Sequence, residues 1–301
     1  DWIDFETILS TSTDQIAIAP GYLEKEWVEG DRRYFHYKMD SPILNFYSFI
    51  SAQFEVEQDY WLRPNGDTVS IEVYHHASHD FNIERMIDGV KEALDYSTQA
   101  FSPYQHRQVR IIEFPRTSGG FAQSFANTIP YSEAIGFIAA VDEEDENGVD
   151  YPFSVSAHEV AHQWWAHQVI GANAKGATLM SESMSEYVSL KVLEKRYGED
   201  KMRIFLKDAL DRYLTGRAFE GIKERPLMYN ENQQYIHYNK GSLVLYALSD
   251  YLGEERLNSA IKNYVQKVAF QEAPYTVASE FVDEIEAVTP DSLTYLIERL
   301  T

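Results

Sequence analysis

The stretch that decides the fold is His158-Glu159-Val160-Ala161-His162. Residues four apart in an α-helix lie on the same face, so a helix through this stretch brings both imidazoles to one metal ion. Glu159 then points to the side where a water molecule would sit, which is the place for a general base. Such a five-residue match also arises by chance, so the surrounding sequence has to support it.

A metal site needs a third ligand in addition to the two histidines. A catalytic zinc ion is held by three protein ligands and keeps one open position. The segment from Met180 to Tyr187 provides two carboxylates, Glu182 and Glu186, one turn apart on a second predicted helix. The structural alternative makes His158 and His162 core histidines and leaves Glu182 exposed on its helix. The spacing favours a metal centre completed by a carboxylate from this second helix.

Composition limits the other functions open to the chain. Its 301 residues include 48 acidic and 26 basic side chains, a formal charge of -22, and no cysteine. Without cysteine, any metal ligands must be His, Asp or Glu, and thiolate catalysis is excluded. The negative charge repels phosphate backbones and anionic lipids, so we predict no binding to nucleic acid. The longest uncharged apolar run, Ala134 to Val141, is far shorter than the ~20 residues that span a bilayer, so we predict no direct membrane insertion of this fragment.

The hydrophobic pattern predicts an α+β fold. The first third is rich in Tyr, Phe, Ile and Val between turn residues, which is typical of an antiparallel sheet. Helical spacing of apolar residues begins at Ile83 and ends near Phe101, and helix patterns dominate from Ser154 onward. The predicted strands are Ile16–Pro20, Arg33–Lys38, Phe46–Val56, Val69–His75, Val109–Phe114 and Ile135–Val141.

Several motifs around the histidine pair follow one another in the order found in a known family. They are His158-Glu159-Val160-Ala161-His162-Gln163-Trp164-Trp165, Leu179-Met180-Ser181-Glu182 and Tyr238-Asn239-Lys240-Gly241, preceded by Phe101-Ser102-Pro103-Tyr104 and Ile111-Ile112-Glu113-Phe114-Pro115. With them the chain resembles the zinc aminopeptidases of the aminopeptidase N family, a gluzincin group, from about residue 45 to its C-terminus. The resemblance implies the end of a β-rich saddle domain over residues 1–72. It also implies a thermolysin-like catalytic domain over residues 73–301, mostly helical in its second half.

The resemblance also implies a role for each site residue. It gives one zinc ion held by His158, His162 and Glu182. It makes Glu159 the general base and Tyr238 the hydroxyl that stabilises the transition state. For Tyr238 the alternative is packing alone, as for any phenol near the start of a helix.

One departure from the family concerns the third ligand. Nineteen residues separate His162 from Glu182, where the family usually has eighteen. Glu182 follows the Leu-Met-Ser segment that resembles the family's approach to its ligand, so we prefer it to Glu186. Glu186 corresponds to a supporting position outside the ligand shell.

A second departure concerns the substrate. Family members that remove N-terminal residues carry a Gly-X-Met-Glu-Asn strand whose glutamate binds the free amine, and this chain lacks that string. The best match is the segment Pro130 to Ile138, in which Glu133 stands where the glutamate would. The segment Gly119 to Gln123 has the glycines but no acid. We therefore predict that Glu133 binds the substrate's amine, with a purely structural role as the alternative.

His75, His76 and His79 form a second group of potential metal ligands. A polar strand end that leads into a loop explains them better, so we predict one metal ion and not two.

The early segment from Ser12 to Tyr22 resembles peptidase modules attached to bacterial transporter-type permeases. This resemblance predicts a fragment that is covalently attached to a membrane permease region upstream. The sequence itself does not give the compartment; this resemblance implies that segments upstream would tether the fragment to a membrane.

Together these features predict a zinc-dependent metallopeptidase that acts on peptides and releases their N-terminal residues. Two alternatives stay open. A peptidase-like binding or regulatory module of a larger membrane protein would explain the altered amine-binding strand. A zinc endopeptidase would cleave N-terminally blocked peptides and would not depend on Glu133.

Overall fold

The computed structural model describes residues 1–142, 145 and 148–300. These residues form two compact units. Unit 1 contains residues 1–91, 105–141 and 150–159, and unit 2 contains residues 92–104, the described residues of 142–149 and residues 160–300. Both sides of the predicted domain boundary, residues 72 and 73, lie in unit 1. Because a compact unit and a family domain are defined differently, that boundary stays a prediction.

The strands of the described residues lie in unit 1. They are β1 (Trp2–Ile3), β2 (Glu6–Ser12), β3 (Ile16–Ile18), β4 (Tyr22–Glu29), β5 (Arg32–Lys38), β6 (Ile43–Leu44), β7 (Ile50–Ala52), β8 (Glu55–Leu62), β9 (Thr68–His75), β10 (Gln108–Phe114) and β11 (Thr128–Ser132). Strands β2, β5 and β4 form an antiparallel sheet, and β1 with β6 and β3 with β7 form antiparallel pairs. The largest sheet has the order β11-β10-β9-β8, with β9, β10 and β11 parallel and β8 antiparallel to β9.

The three parallel strands bring polar residues to one edge of the largest sheet. Parallel strands end at the same edge, where α/β proteins commonly bind ligands. Here β9 ends at His75, β10 at Phe114 and β11 at Ser132. The polar residues that follow these strands, among them His79 and Glu133, therefore gather at this edge.

Two helices pack closely within unit 1. They are the first part of α1 (Ile83–Ala100) and the part of α2 (Tyr151–Ala161) that carries His158 and Glu159. At Gly89 of α1, a Cβ atom would lie only 2.5 Å from the carbonyl oxygen of Phe153. Glycine is a poor helix former, but this contact needs a residue without a side chain.

The structure confirms the α+β class and most of the predicted elements of the first 120 residues. The predicted strands Val69–His75 and Val109–Phe114 correspond to β9 and β10. The predicted helix from Ile83 to near Phe101 corresponds to α1. The predicted strand Phe46–Val56 is instead divided into β7 and the start of β8.

The predicted strand Ile135–Val141 is wrong. Residues 133–138 form turns, and the strand lies earlier, at β11. The side-chain amide of Asn82 donates to the carbonyl oxygens of Gly136 at 2.7 Å and Ala139 at 2.8 Å. A side chain thus satisfies carbonyls that a strand would offer to a neighbouring strand, and this long-range contact has no signal in the local sequence.

Unit 2 is helical, as the pattern from Ser154 onward predicts. Besides the later residues of α1, its helices are α3 (Met184–Tyr197), α4 (Glu199–Phe219), α5 (Gly241–Leu252), α6 (Glu254–Val268), α7 (Ala278–Val288) and α8 (Thr294–Leu300). Two π-helical turns precede two of these helices: π1 (Leu179–Ser183) leads into α3, and π2 (Tyr235–Lys240) leads into α5. Inserted π-helical turns are rare in proteins as a whole, but many of those that do occur lie at functional sites.

The core of unit 2 includes the two tryptophans that follow the histidine motif. Trp164 and Trp165 are fully buried. The indole N–H of Trp164 donates to the carbonyl oxygen of Ser102 at 3.0 Å, and the ring of Trp165 meets that of Phe101 edge-on at 5.3 Å. The residues just after His162 are therefore fixed by burial and a hydrogen bond.

No helix among the described residues is long and apolar enough to cross a membrane. The predicted attachment to a permease concerns segments upstream, so it stays a prediction.

Candidate metal centre

The histidine motif lies at the C-terminal end of α2. The helix starts after Asp150, whose carboxylate accepts a hydrogen bond from the backbone N–H of Phe153 at 3.1 Å, a standard N-terminal cap. His158 and Glu159 lie in the last turn of α2, and His162 is the first residue after its end at Ala161. The side chains of the motif are largely buried, with His158 6% and His162 7% exposed.

The two ring nitrogens of His162 face different partners. Its Nδ1 lies 3.1 Å from the carbonyl oxygen of Trp165 and 3.1 Å from Oγ of Ser185. A carbonyl oxygen can only accept, so Nδ1 carries the hydrogen, and in this tautomer Nε2 is the nitrogen with the lone pair that can bind a metal. Nε2 lies 3.3 Å from Oε2 of Glu182. The outer partners therefore orient the nitrogen that can bind a metal.

Three predicted ligands come together. One donor atom each of His158, His162 and Glu182 lies within 4.8 Å of the others. Zinc bonds of about 2.0–2.1 Å at tetrahedral angles would separate two donor atoms by roughly 3.3 Å, the distance observed between His162 and Glu182. The donor set and its spacing fit a zinc ion. Glu186, on α3 one turn further along, is half-buried and is not a member of this group.

Glu182 belongs to the turn π1. Its neighbours Leu179, Met180 and Ser183 are buried, which anchors the turn, whereas the side chain of Glu182 is 23% exposed. The backbone of Glu182 is thus held in place while its carboxylate is accessible to solvent. A ligand of a metal ion with one open coordination position requires both.

Tyr238 belongs to the turn π2 and is half-buried. Its ring lies 4.7 Å from that of His237, and His237 is buried. Burial lowers the pKa of His237, and the nearby Glu182 carboxylate acts against this shift. The turn with Tyr238 therefore lies beside the turn with Glu182, and the oxygen of Ser183 contacts the carbonyl of His237 at 2.7 Å.

Glu133 lies directly after β11. Its Oε1 accepts a hydrogen bond from the backbone N–H of Arg116 at 3.1 Å, and the Arg116 side chain approaches it to 3.6 Å. Its Oε2 lies 3.9 Å from Nδ1 of His79. Its role in binding the amine stays a prediction.

The other candidate segment for binding the amine, Gly119 to Gln123, lies along β11. The backbone N–H of Gln123 donates to the carbonyl oxygen of Pro130 at 3.0 Å. The next residue, Ser124, donates its hydroxyl hydrogen to the carbonyl oxygen of Glu159 at 2.8 Å. This segment is therefore in direct contact with the backbone of the predicted general base.

A second group of potential ligands forms at the strand edge. His79 joins Glu113 and Glu133 there, with one donor atom of each within 4.8 Å of the others. The buried carboxylate of Glu113 already has partners, since it accepts from the backbone N–H of His76 at 2.7 Å and contacts Nδ1 of His79 at 2.5 Å. These contacts give the group a role as a polar end of the strands, and the expectation of one metal ion and not two stays a prediction.

The structure adds residues that sequence patterns did not identify. They are Ser124, Ser183, Ser185 and His237. Serines have no spacing rule for such contacts, because their partners come from distant segments. The alternation Ser181, Ser183, Ser185 around the ligand is visible in the sequence, but nothing local shows which hydroxyl faces the site.

Known proteins share sequence with this chain. The model of the Peptidase family M1 domain matches residues 85–299. The probable aminopeptidase 1 of Sulfurisphaera tokodaii is 27% identical over 199 residues, which cover 62% of this chain and 24% of that protein. Aminopeptidase M1 of Arabidopsis thaliana is 22% identical over 284 residues, which cover 89% of this chain and 31% of that protein. The chain thus spans about a quarter to a third of the length of these curated relatives.

Solved structures share the fold along the whole chain. The M1 zinc metallopeptidase from Deinococcus radiodurans matches with a TM-score of 0.74 at 16% identity, covering 100% of this chain and 64% of that one. Aminopeptidase A of Legionella pneumophila, solved in complex with aspartic acid, matches with a TM-score of 0.78 at 15% identity and covers 100% and 34% of the two chains. At such low identity these matches show the fold and no more.

Proposed function

Because the chain belongs to peptidase family M1, we propose that it is a zinc-dependent peptidase that releases N-terminal residues from peptides. The observation that carries this proposal is the group of His158, His162 and Glu182, whose donor atoms lie within 4.8 Å of one another. Two imidazoles and one carboxylate are the donor set of a catalytic zinc ion in metallopeptidases. The intact Glu159 beside them supplies the base that such a reaction needs.

The chain's own residues perform distinct tasks in the reaction. Zinc, when bound, supplies Lewis acidity that polarises a peptide carbonyl and lowers the pKa of water. Glu159 accepts a proton from the attacking water and passes it to the departing amine. Tyr238 donates a hydrogen bond to the carbonyl oxygen as negative charge develops on it. A preorganised donor of this kind is typically worth ~3 kcal/mol in the transition state.

Release of single residues requires that the free amine of the substrate be held at a fixed distance from the scissile bond. Glu133 is our candidate, because a carboxylate pairs well with an ammonium group. Its neighbour Arg116 competes only weakly for it, since the Arg116 side chain is 66% exposed and its charge is screened by solvent. Gln123 offers a neutral acceptor in the segment that contacts Glu159.

Substitution of the base tests the hydrolytic proposal. Glu159→Gln keeps the size of the side chain but removes the base, so we expect kcat on an aminoacyl anilide to fall by about 10²- to 10⁴-fold while zinc content is unchanged. Glu186→Gln makes the same change one turn beyond the ligand Glu182 and should lower kcat far less. A zinc-loaded wild type that is no more active than Glu159→Gln would favour the binding or regulatory module instead.

A peptide digest separates exopeptidase from endopeptidase action. We expect mass spectrometry to show stepwise loss of N-terminal residues from free peptides and no cleavage of their N-acetylated forms. Glu133→Gln should raise KM for free peptides, and Gln123→Ala provides the comparison for the other candidate segment. Cleavage of acetylated peptides at internal bonds, together with indifference to Glu133→Gln, would establish an endopeptidase.

A further inference from the structure

Ser183 joins the two π-helical turns of the metal centre. Its hydroxyl donates to the carbonyl oxygen of His237 at 2.7 Å. Ser183 is 0% and His237 2% exposed, so water does not compete for this bond. Ser183 directly follows the ligand Glu182, and His237 directly precedes Tyr238. The bond therefore links the residues next to the ligand and next to the phenol.

The contact around this bond is tight. At Gly241, the first residue of α5, a Cβ atom would lie 2.1 Å from Oγ and 2.6 Å from Cβ of Ser183. Only a glycine at this position lets the start of α5 approach π1 so closely. The hydroxyl of Ser183 is thus confined between a backbone without a side chain and the carbonyl that it binds.

The bond acts on the backbone from which Tyr238 projects. The carbonyl group of His237 and the backbone nitrogen of Tyr238 belong to one planar peptide group. A donor fixed to that carbonyl limits the rotation of the plane and hence the position of the Tyr238 side chain. Where a π-helical turn joins an α-helix, the regular pattern of backbone hydrogen bonds changes, so a side-chain donor at this place has a structural effect.

We propose that Ser183 is a positioning residue that fixes the phenol of Tyr238 relative to the carboxylate of Glu182. The inference rests on the proposed function, in which Tyr238 donates to the developing oxyanion. Small misplacements of a catalytic group reduce the rate strongly while substrate binding changes little. Ser183 would therefore affect kcat and leave KM almost unchanged.

A double-mutant cycle tests whether Ser183 acts through Tyr238. We expect Ser183→Ala to lower kcat about tenfold, with KM and zinc content as in the wild type. Tyr238→Phe should lower kcat more, and the double variant should fall no further than Tyr238→Phe, within about twofold. Ser242→Ala is the matched control, because its buried hydroxyl also binds a backbone carbonyl, that of Asn239 at 3.0 Å, but within one continuous segment.

The outcomes separate this inference from the proposed function. If Ser183→Ala lowers kcat by the same factor in the Tyr238→Phe variant as in the wild type, the positioning role of Ser183 is overturned. Ser183 would then act on the metal ligand or on the fold. A Tyr238→Phe variant with wild-type kcat would instead contradict the role of Tyr238 in the proposed function.

A second readout does not depend on activity. In NMR spectra of protein with 13C-labelled tyrosine, the resonance of Tyr238 is assigned as the one that is missing from the spectrum of Tyr238→Phe. We expect Ser183→Ala to shift or broaden that resonance, both with zinc and after chelation, and Ser242→Ala to leave it in place. An unchanged Tyr238 resonance in Ser183→Ala would overturn the positioning role even if the enzyme proved inactive.

Discussion

At the residue scale, the metal centre depends on the two ring nitrogens of His162, which face different partners. Nδ1 contacts the carbonyl oxygen of Trp165 and Oγ of Ser185, each at 3.1 Å. Nε2 faces Glu182. Groups that form hydrogen bonds with a metal ligand set its orientation and basicity, and their loss commonly weakens metal binding 10- to 100-fold.

This arrangement predicts the effect of Ser185→Ala. The carbonyl of Trp165 still holds Nδ1 in the variant, so we expect zinc affinity to fall only about tenfold, the low end of that range. Competition with a chromogenic chelator measures it. Ser189→Ala removes another buried hydroxyl one turn further along α3 and should leave zinc affinity unchanged. Equal affinities of Ser185→Ala and the wild type would show that Ser185 has no part in orienting His162.

At this scale the metal-binding histidines could be predicted from the sequence, whereas the serines that support the site could not. His158 and His162 follow from helical periodicity, because residues four apart share a helix face. Ser183 and Ser185 could not be predicted, since their partners, His237 and His162, lie far away in the sequence and no spacing rule connects them.

At the scale of elements, Glu224 holds the turn π2 against the helix α4. It accepts a hydrogen bond from the hydroxyl of Tyr213 at 2.8 Å and one from the ammonium group of Lys240 at 2.6 Å. Burial acts to raise the pKa of Glu224, but the hydrogen bonds from Lys240 and Tyr213 outweigh it and hold this pKa below 4.5. A carboxyl whose pKa is lower in the folded state stabilises that state while it is ionised.

The lowered pKa of Glu224 predicts a pH dependence of stability. The stabilisation is present above the unfolded-state pKa of 4.5 and is lost as the pH falls through the lower folded-state pKa. We expect Glu224→Gln to reduce the free energy of unfolding by about 0.5–1 kcal/mol at pH 7, since the group is partly solvated, and by little at pH 3. Urea unfolding at both pH values measures this difference.

The control for the pH prediction is Glu286→Gln, the same change at an exposed position of α7. It reproduces the change in net charge without touching π2. A loss of stability in Glu224→Gln that is as large at pH 3 as at pH 7 would mean that packing, and not the charge of Glu224, supports the turn.

Elements were predictable where one local pattern dominated. The strands β9 and β10 and the helix α1 combine clear periodicity with suitable residues. The turns π1 and π2 have no such pattern, because one inserted residue changes the hydrogen bonding without changing the hydrophobic order. The strand prediction for Ile135–Val141 is wrong although the local pattern is clear. The apolar residues of this segment favour a strand, but the side-chain amide of Asn82, which is distant in the sequence, donates to its carbonyl oxygens.

At the scale of the whole molecule, the formal charge of -22 favours the binding of cations in general, so the place of a bound ion must be tested directly. Among the described residues, two groups of potential ligands compete: His158, His162 and Glu182, and the group of His79 with Glu113 and Glu133. The carboxylate of Glu113 in the second group already has hydrogen-bond partners. We therefore expect the first group to bind the ion.

Metal removal and readdition test this expectation through stability. A ligand that binds only the folded state at about 100 times its dissociation constant stabilises it by about 2.7 kcal/mol. We expect chelation to lower the melting temperature by roughly 5–10 °C, the shift typical of that energy in a domain of 150–250 residues, and zinc to restore it. His162→Ala should abolish the response to zinc, whereas His79→Ala should retain it. The reverse pattern would place the ion at the strand edge, and the proposed peptidase centre would then lack its metal.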